Sequence, residues 1–275
     1  PYWESFDPVP PVEGPDRRIE KLERMLSQLE RFAPDYHAIH PMAPAMTEEC
    51  VALFMNHLRT LQYDFQYRIP GYVAWLLAED ARLAYRAYER SLRLVHHFRP
   101  GGERFVLKDP THLVHLETIL ALWPDAKIVF THRDPVHAIS SLASLYAHTR
   151  TIFSDDVDAA AIGREVMAGH WPRALDAAFA LRDRLAPGQL ADVRHVDLRA
   201  DPIATVERVY RTLGFELGDD AREAMERFLA EEAAKPDSVH EHSLAGFGLE
   251  ADAVRERFRA YREHFDLGDA RGAHS

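Results

Sequence analysis

At 275 residues the chain has room for one large α/β domain carrying a helical lobe. Its 33 basic and 44 acidic residues give a formal charge of −11, which argues against nucleic acid or an anionic membrane as the main partner. Cys50 is the single cysteine, so no internal disulfide forms; this fits a reducing, cytoplasmic setting, and the longest apolar run, near Tyr72–Ala78, is far too short for a membrane span.

The first stretch, "PYWESFDPVPPVEG", reads as ordered coil because proline and glycine punctuate it. From Asp16 a helical pattern runs through Ile19, Leu22, Leu26, Leu29 and Phe32 and stops before Pro34. A second helix is predicted from Thr47, with Glu48 and Glu49 in its first turn, and two more near Tyr72–Ala78 and Ala81–Phe98. Residues 15–98 thus form a helical lobe, and 99–275 an α/β core with C-terminal helices, within one domain spanning 1–275.

In that core "RFVLK" (Arg104–Lys108) reads as a strand followed by a helix from about His112 to Leu122. "KIVFT" is a second strand, leading into a helix from Pro135 to about His148. "VRHVDL" (Val193–Leu198) is a third, followed by a helix over Pro202–Leu213. Strands alternating with helices of this length predict a parallel sheet with crossover helices. Helices are expected over Asp155–Leu185, Asp219–Ala234 and Ala251–Phe265, with the loop "SVHEHSLAGFGLE" before the last.

Ligands of open parallel sheets bind beyond the carboxyl ends of the strands. All three junctions carry Asp-Pro, in "LKDPTH", "THRDPVH" and "LRADPIA". Asp109, Asp134 and Asp201 are read as helix caps, with proline at the first helical position. Arg133 at the mouth of the second strand offers a guanidinium beside a helix N-terminus, an anion site, unless a carboxylate neutralises it. Ser141 lies two turns on along roughly the same face, with Ser140 and Ser144 as competitors.

The segment "DAKIVFTHRDPVHAISSL" resembles the 3′-phosphate-binding segment of sulfotransferases that use 3′-phosphoadenosine 5′-phosphosulfate (PAPS). "FVLKDPTHL" is similar to that family's Lys-(Ser/Asp)-Pro element, and "VDLRADPIATVERVYRTLGFEL" to its later strand-helix segment. "YWESFDPVPP" and "HSLAGFGL" look like its bacterial branch. The resemblance implies a P-loop NTPase-like sulfotransferase fold and transfer of a sulfuryl group from PAPS to a hydroxyl or amine of a small-molecule acceptor. It places Arg133 and Ser141 on the 3′-phosphate. The family's Gly-x-x-Arg-Ser-Gly-Thr-Thr loop for the 5′-phosphosulfate has no match here, so the chain is expected to start about where that loop and its helix end. A nucleotide- or partner-binding relic without catalysis is the alternative. A small-molecule kinase is a third reading, disfavoured because no Walker lysine loop is present.

Sulfuryl transfer needs in-line placement, charge stabilisation at the leaving oxygen and a base, and no metal. Lys108 is the expected stabiliser, at the end of the first strand and near the donor. Three residues compete as base: Glu4, by resemblance to tyrosylprotein sulfotransferases; His112, four residues after Lys108; and His40 in "IHPMAP". His132 and His137 are read as shaping the pocket, and the spacing of His240 and His242 is too thin a ligand set for zinc. The aromatic-rich helices from Tyr63 to Tyr88 are expected to line the acceptor pocket.

Overall fold

The computed structural model describes residues 1–8, 16–33, 40–234 and 241–268. Its helices are α1 (Tyr2–Phe6), α2 (Arg17–Phe32), α3 (Val51–Met55), α4 (Gln62–Gln66), α5 (Pro70–Ala78), α6 (Arg82–Phe98) and α7 (Leu116–Leu122). After strand β1 (Ile128–His132) come α8 (Pro135–Thr151), α9 (Ala159–Ala168) and α10 (His170–Leu181). Strand β2 (Leu190–Arg194) is followed by α11 (His195–Ala200), α12 (Pro202–Leu213), α13 (Asp219–Ala233), α14 (Ala251–Arg257) and α15 (Arg259–His264). The chain divides into two compact units, one of residues 1–122 and 145–158, the other of 123–144 and 159–275.

In the first unit the long helix α6 has its buried residues Ala84, Tyr85, Ala87, Tyr88 and Ser91 on one stripe. Phe54 of α3 stacks on Tyr88 with ring centres 4.5 Å apart, and the Tyr88 hydroxyl donates to Cys50 Sγ at 3.1 Å. Burial pushes the Cys50 thiol up to about 11, which keeps it a protonated packing group rather than a nucleophile.

The second unit holds the parallel pair β1 and β2, in register from Ile128 opposite Leu190 to His132 opposite Arg194. Helices α8 to α10 make the crossover between them. Helix α12 stops where Gly214 turns left-handed at φ +76°, with its N–H returned to the Tyr210 and Arg211 carbonyls. The late loop folds back on α9: Leu244 and Phe247 are buried, and a Cβ added at Gly163 would meet the Phe247 carbonyl oxygen at 2.1 Å.

Four local expectations need correction. Arg104–Lys108 joins no strand ladder among the described residues; Phe105, Val106 and Leu107 are exposed, and Cys50 N donates to the Lys108 carbonyl at 2.9 Å. With its N–H committed to Lys108, Cys50 caps α3 through its carbonyl, which accepts from Leu53 N at 3.0 Å, and the helix starts at Val51 rather than Thr47. The third strand ends at Arg194, because Asp197 draws in the Arg194 guanidinium at 2.8 and 2.9 Å and the chain turns helical at His195. The opening coil contains a helical turn over Tyr2–Phe6, where Trp3 packs beneath the guanidinium groups of Arg18 and Arg99.

Candidate functional site

The three Asp-Pro junctions cap their helices as read. Asp109 accepts from Thr111 N at 2.8 Å, Asp134 from Val136 N at 3.1 Å and Asp201 from Ala204 N at 3.0 Å. Each proline then occupies a position whose missing N–H costs no helical bond.

At the mouth of β1 the cap has a second consequence. Asp134 also accepts from Arg262 of α15, Nε to Oδ1 at 3.0 Å and Nη2 to Oδ2 at 3.4 Å. Its charge is thus met by the helix N-terminus and a guanidinium from 128 residues away. Arg133, its sequence neighbour, is exposed and makes no ion pair with any described residue. His195 directly follows Arg194, the last paired residue of β2. Burial lowers the His195 pKa, and the charges of Arg133, Arg199 and His137 lower it further, which places these basic groups around one point. In a net acidic chain, Arg133 and Arg199 thus both lie close enough to His195 to act on it, near the carboxyl ends of the two parallel strands. The sequence reading missed His195 and Arg199 because it ran the third strand through Leu198.

The serines on α8 separate by environment. Ser140 is buried and bonded to the Val136 and His137 carbonyls at 3.2 Å and to His242 Nδ1 at 2.9 Å. Ser144 is buried as well. Ser141 is half-buried, and no hydrogen bond from a described residue engages its hydroxyl. His242 thus serves as an anchor of the late loop, while His240 lies outside the described residues. His132 is fully buried, bonded to Tyr261 Oη at 2.7 Å and Asp192 Oδ1 at 2.9 Å and stacked on Phe265 at 3.6 Å.

Lys108, His112 and Glu4 belong to the other unit. Lys108 is an exposed ammonium paired with Glu49. His112, half-buried in the 3₁₀ turn Pro110–His115, meets Tyr85 Oη with Nδ1 at 2.9 Å and lies edge-on to Phe54 at 5.9 Å. Burial lowers its pKa against the opposing charge of Asp109, so the ring is neutral near pH 7. Tyr85 is pushed well above the usual phenol range by burial and remains protonated. Glu4 is buried and gives Oε1 to Arg99 at 3.0 Å. His40 lies 3.7 Å from Glu48. A cavity of about 20 Å³, room for a single water, is lined by Phe54, Leu61, Leu76, Tyr85, Thr111 and His115. The fully buried Tyr85 and Tyr88 lie in the core of this unit.

The model of the Sulfotransferase family matches residues 2–219. The chain belongs to the sulfotransferase family. It is 33% identical to the sulfotransferase STF1 from Mycobacterium tuberculosis H37Rv, over 94% of this chain and 68% of that one, with a TM-score of 0.73. The fold is also that of the sulfotransferase STF9 from Mycobacterium avium, at 23% identity and a TM-score of 0.76, over 96% of this chain and 69% of that one. No curated protein matches significantly. The P-loop-like sulfotransferase fold and the bacterial branch expected from the motifs both hold. No described helix is long and apolar enough to cross a membrane.

Proposed function

We propose that this sulfotransferase takes its sulfuryl group from PAPS and delivers it to a hydroxyl or amine of a small acceptor. The observation that carries this reading is the Arg133 guanidinium, exposed at the carboxyl end of β1 and left without a carboxylate because Asp134 is occupied by its cap and by Arg262. An anion fits there: the open end of α8, the uncommitted Ser141 hydroxyl and the guanidinium of Arg199, close enough to act on His195, all favour negative charge.

Arg133 and Ser141 hold the 3′-phosphate, and bound donor supplies the group to be transferred. Lys108 exchanges Glu49 for the negative charge that develops on the leaving oxygen. His112 accepts the acceptor's proton at Nε2; its Nδ1 lies 2.9 Å from Tyr85 Oη, and the ring serves as base in the tautomer whose Nδ1–H donates to that hydroxyl. Glu4, held by Arg99, is the second candidate for that proton.

Incubation with PAPS and a panel of phenol, alcohol and amine acceptors, reading adenosine 3′,5′-bisphosphate, tests the reading. Release of that product without added magnesium is expected. Magnesium-dependent ATP turnover in its place would make the protein a kinase.

A further inference from the structure

We infer that Arg262 is a positioning residue for the nucleotide's 3′-phosphate, acting through Asp134 to keep Arg133 available. This rests on the assignment of Arg133 to that phosphate. Two consecutive residues of α15 grip the two residues that flank Arg133: Tyr261 bonds His132 Nδ1 at 2.7 Å, and Arg262 holds Asp134 through Nε at 3.0 Å. Both ends of the Arg262–Asp134 pair are largely shielded, with side chains 16% and 11% exposed, so the charges are weakly screened. Arg133 between them is exposed and unpaired among the described residues.

A carboxylate on the residue next to a phosphate-binding arginine either pairs with that arginine or repels the phosphate. The helix cap engages Oδ1 and leaves a full negative charge on the group. Arg262 neutralises that charge from a helix that lies beyond the stretch matched by the family model, which ends at residue 219. The contribution of α15 to the site is therefore indirect, with no atom of it required on the ligand.

Calorimetric titration of the full chain with adenosine 3′,5′-bisphosphate and with adenosine 5′-monophosphate tests this, because only the first ligand carries a 3′-phosphate. Arg262→Met is expected to weaken the bisphosphate about tenfold while leaving the monophosphate within about threefold. Adding Asp134→Asn, which keeps a capping oxygen but removes the charge, should restore the lost affinity, and Arg262→Lys should retain most of it. Asp134→Asn alone keeps the idea testable if Arg262→Met does not fold: affinity for the bisphosphate should be unchanged or tighter, and a tenfold loss overturns the inference. Equal weakening of both ligands by Arg262→Met marks a general structural role and overturns it too. If Arg133→Ala weakens the bisphosphate while Arg262→Met does not, this inference alone falls. If Arg133→Ala changes nothing, the phosphate assignment falls first and the inference with it.

Discussion

An arginine followed directly by an aspartate usually has its counter-charge at hand, and a guanidinium so paired is a poor phosphate ligand. Arg133 escapes this because Asp134 is claimed twice, by the Val136 amide and by Arg262. The capping half of that arrangement was legible in "RDPVH", since Asp before Pro at a helix start has a local cause. The other half was not, because Arg262 lies 128 residues away and no short-range pattern connects them. The closeness of His112 to Lys108 is plain from their spacing, but the Tyr85 contact that orients the ring depends on how α6 packs. His112→Ala is expected to lower the turnover rate by about 10²- to 10⁴-fold with affinity for adenosine 3′,5′-bisphosphate unchanged. An unaltered rate would move the role to Glu4. Because burial lowers the His112 pKa, the base stays neutral below the ordinary histidine range, and activity should fall only as pH drops through that lowered value.

Among the elements, helices were the most readable: the Pro202–Leu213 prediction matches α12, and the Asp219–Ala234 prediction matches α13 to within a residue. Strands were harder, because a strand is defined by its partner. "RFVLK" has strand composition but no ladder among the described residues, and β2 ends where the Arg194–Asp197 pair turns the chain. The late loop is placed by shape. Gly163 lies inside α9, where alanine ordinarily stabilises by up to about 1 kcal/mol. Here the added methyl would collide with the Phe247 backbone, so Gly163→Ala is expected to destabilise by about 1–3 kcal/mol instead. Denaturant unfolding decides the sign, and a stabilised variant would show that the loop does not seat on α9.

At the scale of the whole molecule, the net charge of −11 is an average that conceals the two arginines, Arg133 and Arg199, near the strand ends. Proton uptake also couples to global stability. Burial lowers the His115 pKa from 6.5 to about 4, with His112 adding to the shift. Between those values the unfolded chain binds a proton that the folded chain excludes, so stability is full above about pH 6.5 and falls toward pH 4. The loss from this group is roughly 3 kcal/mol across that window. His115→Gln should remove that part of the acid sensitivity in unfolding curves taken at pH 7 and pH 4.5; an unchanged difference would place its origin elsewhere.

The central claim is that a guanidinium at the end of β1 grips a ribose-linked phosphate, and calorimetry with adenosine 3′,5′-bisphosphate on wild type and Arg133→Ala tests it most directly. The account predicts a loss on the order of 2 kcal/mol, about 30-fold in Kd, for a charge-assisted phosphate contact. Equal affinities in the two proteins would contradict it.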